Sequence, residues 1–259
     1  MYKRQEIDTV SFVVGTRLVD LIYEKCPEVA LNTEMLTPLC VRNSLAYLLR
    51  DRFSFKSAVI SALDSELNMT DVYAEFARER DHFTLDELKE FSEELNVCIY
   101  WEAVMGEVVR LSDREFIRKD HITFDVEAID AILDEQCHGD YMPMKDVSLY
   151  LSFPNIGYQW NAFVLSSYLY HTSKKFRFLF QSFSQSIVTG AMVRADSPIT
   201  NYHEMIVDVL SHSDALRSPK VALQYIVSCG FQQRLAYNSI ENAVQEAKLL
   251  REKQIKEEK

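Results

Sequence analysis

The hydrophobic positions of this chain recur mainly with the period of an amphipathic helix, and polar residues mark where several helices begin. Thr84 and Glu87 have the spacing of a capping box, in which each side chain binds the other residue's backbone N–H at a helix start. The apolar positions that follow are Leu85, Leu88, Phe91 and Leu95. They share one helical face, so the pattern predicts a half-buried helix over residues 84–95.

Other capping signals predict further helix boundaries. Asn201 with Glu204 forms a looser box, and Ser218-Pro219 and Thr37-Pro38 each place a hydroxyl before a proline at the first helical position. Gly230 suits the left-handed position that ends a helix. Because the chain has only six glycines and six prolines, helices joined by short loops are favoured over sandwiches, barrels and glycine-rich nucleotide folds.

Short aromatic and basic segments between the helices predict strands. Three of them align, at residues 52–56, 115–119 and 175–178, and their marker residues Phe53, Phe116 and Phe176 are 63 and 60 residues apart. A period of that size fits one small helical domain per repeat.

The pattern predicts one complete unit most clearly over residues 125–199. Its predicted elements are helices at 125–137, after Pro143 and at 158–171, then strands at 176–182 and 187–194. The preceding unit has predicted helices at 70–80, 84–95 and 99–105 and a hairpin of residues 108–112 and 116–119. Three helices followed by a hairpin is the layout of a winged helix-turn-helix.

This layout resembles the tandem winged-helix arrays of sigma-factor-like and other helix-turn-helix bacterial regulators. The resemblance covers residues from about 15 to 238 and is one of architecture. It implies a mainly α fold with small β-hairpins. The predicted units are a partial one at 6–69, winged-helix-like units at 70–124 and 125–199, and a C-terminal helical unit at 200–259.

Charge is distributed unevenly along the chain, which has a net charge of −11. Residues 70–124 carry −7 of that total, whereas residues 200–259 are neutral. Because most of the acidity lies in one stretch, the net charge of the whole chain does not exclude contact of the other units with a polyanion.

In a winged helix the third helix enters the major groove and the wing touches the backbone, so cations and forked amides there are candidate contacts. The candidate nucleic-acid-binding residues are Gln159, Asn161, Lys174, Lys175, Arg177, Arg194, Arg110, Arg114, Arg118 and Lys119. The sequence thus predicts a non-catalytic binding region that contacts DNA or RNA through its wings and third helices.

Two other functions remain open. The acidic stretch suits a protein–protein interaction scaffold. The chain is also interpretable as an accessory region of an enzyme, because Met1–Gln5 resembles a translated sequencing adapter. That resemblance implies that those five residues are a non-native scar, and the chain is then expected to be a C-terminal fragment of a larger bacterial protein.

Motifs for a cofactor, a metal ion or a small-molecule substrate are missing from the sequence. It contains no GxGxxG, GxxxxGK[ST], HExxH or CxxC pattern. Its five cysteines are scattered, which predicts reduced thiols of a cytoplasmic protein. A secretory signal and an apolar run of about 18 residues are also absent, so no membrane association is expected.

Overall fold

The computed structural model describes residues 68–95 and 97–257 and three short strands nearer the N-terminus. Those strands are β1 (Val13–Val14), β2 (Leu45–Leu49) and β3 (Val59–Ala62), which form an antiparallel sheet in the order β1-β3-β2. The predicted helix start at Thr37-Pro38 and the 52–56 segment lie outside the described residues. The chain divides into two compact units, residues 1–107 and 108–259. That division falls inside the predicted unit 70–124.

Two of the described helices of the first unit begin at side-chain caps, and the sequence indicates one of them, the Thr84–Glu87 box. The elements are α1 (Met69–Arg78), β4 (His82–Thr84), α2 (Leu85–Leu95) and α3 (Trp101–Met105). The capping box of α2 is confirmed, because the Thr84 N–H donates to Glu87 Oε2 at 2.7 Å and the Glu87 N–H donates to Thr84 Oγ1 at 3.3 Å. The sequence pattern did not predict β4, which has only three residues.

The second unit contains two small sets of antiparallel strands and five α-helices among its described residues. Its strands are β5 (Val108–Arg110), β6 (Glu115–Arg118), β7 (Tyr141–Pro143), β8 (Phe176–Leu179) and β9 (Ala191–Arg194). Its α-helices are α4 (Val126–Gln136), α5 (Ala162–His171), α6 (Tyr202–Ser211), α7 (Pro219–Ser228) and α8 (Ile240–Glu257). A mainly α fold with small hairpins is therefore confirmed.

The helix predicted after Pro143 does not form. Two 3-10 turns, Met144–Asp146 and Tyr150–Ser152, occupy that segment instead. A residue before proline is disfavoured in the α region, so Phe153 ahead of Pro154 prevents a helix from continuing there. The next helix was predicted to start at residue 158 but begins at Ala162, because Asn161 is extended and caps it.

Strand β9 is the centre of the three-stranded sheet β7-β9-β8 and is buried on both faces. Met192 packs into a core shared with α4, α5 and the β5–β6 hairpin. Ala191 and Val193 point the other way, into a core formed with α6, α7 and α8. Because successive side chains of β9 enter the two cores alternately, this strand joins the C-terminal helices to the preceding elements.

The marker phenylalanines do not occupy equivalent places. Phe116 lies on β6, the second strand of its hairpin, whereas Phe176 lies on β8, the first strand of the other hairpin. Their spacing of 60 residues is therefore not a structural period.

Gly190 precedes β9 with a φ of +108°, and an added Cβ would meet the carbonyl oxygen of Leu179 and the backbone of Phe180. We expect Gly190→Ala to lower the free energy of unfolding by about 2 kcal/mol, because both the backbone and its neighbours must shift. Gly139→Ala is the matched control, since nothing lies within 4 Å of that Cβ. Urea unfolding followed by Trp160 fluorescence measures both, and equal midpoints would contradict the prediction.

Candidate nucleic-acid interface

Arg110 is buried within the second unit, and its guanidinium binds backbone carbonyl groups. Its side chain donates to the carbonyl oxygens of Ser112, Asp113, Phe183 and Gln185, each at 3.0 Å. The guanidinium carbon lies 4.6 Å from the centre of the Phe163 ring. Burial lowers the pKa of Arg110 to about 10, which leaves it cationic at neutral pH. The structure thus places Arg110, a predicted phosphate contact, in the interior, where it joins the hairpin to the loop between β8 and β9.

The other cations of the β5–β6 hairpin lie among carboxylates. Arg114 is exposed in the turn, and Lys119 is exposed just after β6. Arg118 Nε donates to Asp120 Oδ1 at 2.7 Å, and this hydrogen bond lowers the pKa of the Asp120 carboxyl group. The exposed acidic residues of the segment are Asp113, Glu115 and Asp120. Equal numbers of both charges give this surface little attraction for phosphate.

Helix α5, predicted to read bases, is almost entirely core. Every residue from 164 to 169 is buried. The Asn161 side-chain oxygen accepts hydrogen bonds from the Phe163 and Val164 N–H groups, and its amide nitrogen donates to the Leu111 carbonyl at 2.9 Å. Asn161, a predicted base contact, therefore uses its amide to cap α5 and to bind Leu111 in this structure. Gln159 is exposed in the preceding loop.

The cluster predicted at the end of α5 assembles around acidic side chains of α4. Lys175 Nζ lies 2.8 Å from Asp134 Oδ2, and Arg194 binds the other oxygen of the same carboxylate. These two hydrogen bonds hold the pKa of the Asp134 carboxyl group below its usual value. Arg194 also donates to the carbonyls of Cys137 and Gly139. Arg194 is thus a contact between elements.

The two remaining residues of this cluster lie on either side of the start of β8. Arg177 is half-buried and donates to the Ser197 carbonyl at 2.7 Å. Lys174 is exposed, and its backbone N–H donates to Asp130. The structure therefore brings Lys174, Lys175 and Arg194 together. The Asp130 carboxylate accepts from the Lys174 backbone, and the Asp134 carboxylate binds the Lys175 and Arg194 side chains.

The loop between β8 and β9 is the tip of the predicted wing and contains no basic residue. Arg110 holds two of its carbonyls, Gln181 donates to the Ala236 carbonyl, and Gln233 donates to Ser186 Oγ at 3.1 Å. The hairpin on one side and the C-terminal segment on the other therefore fix this loop in place.

An exposed polar face of α7 was missed by the sequence reading, which used only the start and end signals of that helix. Lys220, Val221 and Gln224 are exposed on its first two turns, while Ala222 and Ile226 are buried on the other side. Exposed Arg217 ends the 3-10 turn Asp214–Arg217 that leads into the helix. The signal available in the sequence was a polar face opposite Ala222 and Ile226, with no acidic residue in the helix.

A cleft of about 500 Å³ lies beside the β5–β6 hairpin. Its lining is apolar at Val109, Ile122 and Phe124 and carries opposite charges at Lys119 and Asp120. The Nε2 atom of His171, also in the lining, is 3.1 Å from the Val108 carbonyl. Since a carbonyl only accepts, Nε2 carries the hydrogen of that bond.

In the part of the chain that the structure describes, no group of three or more His, Cys, Asp or Glu side chains is arranged to hold a metal ion. Over the same residues, every helix is too short or too polar to cross a bilayer. Comparison of the chain with protein-family models, with curated proteins and with solved structures gives no match.

Proposed function

We propose that this chain is a non-catalytic nucleic-acid-binding protein whose contact surface is the first half of α7. The observation that carries the proposal is the exposed, acid-free face of Lys220, Val221 and Gln224, with Arg217 just ahead of it. Most of the other candidate cations are bound to carbonyl or carboxylate groups within the protein, so this face replaces the wing as the contact surface.

Residues 126–194 are best interpreted as a winged-helix unit with a structural role. The order is α4, β7, two 3-10 turns, α5, β8 and β9, with β9 between β7 and β8. This order supports the interpretation, with the turns in place of a second helix. The surface that would read DNA in such a unit is α5 and its wing, and here both pack against the rest of the second unit.

The order of the C-terminal elements supports the proposal, because a helix, a turn and a capped second helix follow one another. Helix α6 ends at Ser211, the 3-10 turn Asp214–Arg217 follows, and Ser218 caps α7 by accepting from the Val221 N–H at 3.3 Å. In helix-turn-helix proteins, the residues near the start of the second helix contact base edges. The exposed residues of α7 have that placement.

The test measures binding of the whole chain to labelled duplex DNA, single-stranded DNA and RNA by fluorescence anisotropy, at low and physiological salt. We expect Arg217→Glu with Lys220→Glu to weaken binding by about tenfold or more, since two phosphate-attracting charges become repulsive. The wild-type affinity should fall steeply with salt.

The matched control is Lys248→Glu with Lys256→Glu, an equal change of charge at exposed positions of α8. It should weaken binding far less, because these lysines lie outside the proposed contact surface. Equal losses in both double variants would remove α7 from the interface. A folded sample that binds none of the three nucleic acids at low salt would overturn the proposed function.

A second candidate function is a protein-interaction scaffold, and one loop favours it. Leu149 is 50% exposed, and Leu151, in the 3-10 turn Tyr150–Ser152, is fully exposed. Exposed apolar side chains close together on a surface mark interaction sites more often than chance. Association through them would be insensitive to salt, which distinguishes this function from nucleic-acid binding.

A further inference from the structure

The exposed side chains of α7 form a narrow stripe along its first two turns. With about 100° of rotation per residue, Lys220, Gln224 and Val221 fall within an arc of about 100°, and Gln224 is between the other two. Ala222 and Ile226 are fully buried on the opposite side. The stripe therefore points away from the core along its whole length.

The far end of α7 is closed to a partner. Lys145 Nζ donates to the Ser228 carbonyl at 2.7 Å, and the Lys145 side chain lies where a Cβ of Gly230 would be. The ends of the helix thus differ: its last turn packs against the 3-10 turn Met144–Asp146, and its first two turns present the stripe to solvent.

The three residues of the stripe offer three kinds of contact: a charge, an amide and methyl groups. Lys220 supplies a positive charge, Gln224 supplies a donor and an acceptor on one planar amide, and Val221, 38% exposed, supplies methyl groups. The helix has no acidic residue, and Arg217 adds a further cation at its start. Asp214 is exposed at the start of the 3-10 turn that Arg217 ends, so residues 214–228 have a net charge of +1. This positive balance favours a polyanion, and the amide and methyl groups suit base edges rather than phosphates.

In the major groove of B-DNA, adenine presents an acceptor and a donor that one glutamine amide pairs with, and thymine presents its methyl group. The groove is wide enough to admit a helix. The major groove of duplex RNA is deep and too narrow to admit a helix. We infer that the first two turns of α7 read base edges in the major groove of duplex DNA, with Gln224 selecting adenine and Val221 contacting a thymine methyl group. This inference rests on the proposed function.

The test selects bound sequences from a randomised duplex DNA library with the whole chain and with two variants, Gln224→Ala and Gln224→Glu. We expect the wild-type protein to enrich adenine at one position, by about tenfold or more over other bases. Gln224→Ala should lose that preference, so that it binds the selected sites no more tightly than random duplex. Gln224→Glu should shift the preference to cytosine, whose N4 amino group donates to a carboxylate.

Gln245→Ala, at an exposed glutamine of α8, is the control and should select the wild-type sequences. Duplex binding with the same selected sequences in all variants would overturn the inference and leave the proposed function standing. Binding to single-stranded DNA or RNA alone would have the same meaning. Absence of binding to every nucleic acid would overturn both.

Discussion

Asp130→Ala is expected to lower the free energy of unfolding of the second unit by roughly 3–5 kcal/mol. The Asp130 side chain, on α4, is 3% exposed and accepts hydrogen bonds from the Tyr168 hydroxyl and the Ser173 hydroxyl, both at 2.6 Å. It also accepts from the backbone N–H groups of Lys174 and Lys175, at 2.9 and 3.1 Å. Removing the carboxylate leaves these donors without their acceptor, and buried donors without a partner are costly.

The chain has two tryptophans, so replacing one of them allows urea unfolding to be followed at the other. In a Trp101→Phe background, fluorescence reports on Trp160, which is 7% exposed and packs 4.8 Å from the Phe153 ring. Glu127→Ala, at an exposed position of α4, should change stability by less than about 0.5 kcal/mol.

Asp130→Asn is the second variant, since it keeps the volume and one acceptor oxygen. Asp130→Asn should lower the free energy of unfolding by an amount between those for Glu127→Ala and Asp130→Ala. If Asp130→Ala unfolded at the same urea concentration as Glu127→Ala, the turn between α5 and β8 would not depend on this carboxylate.

Helix ends were predictable from the sequence because the interactions that set them are local. Thr84 and Glu87 are three residues apart, Ser218 caps the turn that follows it, and Gly230 adopts the expected positive φ of 81°. Each feature needs only its near neighbours. A sequence pattern records such neighbours directly.

The short strands were missed because their partners are distant in the sequence. Strand β7 has three residues and pairs with β9, in which Met142 lies opposite Met192. No periodicity is visible in three residues, and nothing near Met142 indicates a partner 50 positions away.

The partners of the predicted site residues could not be read from the sequence for a related reason. Residue type correctly indicates that arginine and asparagine are strong donors, but it does not say which acceptors they meet. Arg110 meets carbonyls 73 and 75 residues away, and Asn161 meets one 50 residues away. Counting cations along the chain therefore overestimates the charge that is available to a ligand. The exposed face of α7 carries fewer charges but keeps them at the surface.

Arg110→Met is expected to destabilise the second unit by about 3 kcal/mol, because hydrogen bonds to a charged donor contribute about 1.5–3 kcal/mol each and are not additive. The thioether replaces the volume of the side chain but none of its donors. Arg110→Lys should recover little of the loss, since an ammonium lacks the planar fork that reaches four carbonyls at once. Urea unfolding followed at Trp160 measures both variants.

The same substitution separates the two roles that Arg110 could have. Replacing a phosphate-binding arginine would lower nucleic-acid affinity and leave stability unchanged. Replacing an internal arginine lowers stability and speeds amide hydrogen exchange in the loop between β8 and β9. Arg114→Met, four residues along the same hairpin and exposed, should cost less than about 1 kcal/mol. Unchanged stability and exchange in Arg110→Met would mean that the four carbonyls keep their positions without the guanidinium. The loop would then be held by its other contacts, which include those with Ala236, Gln233 and Gly230.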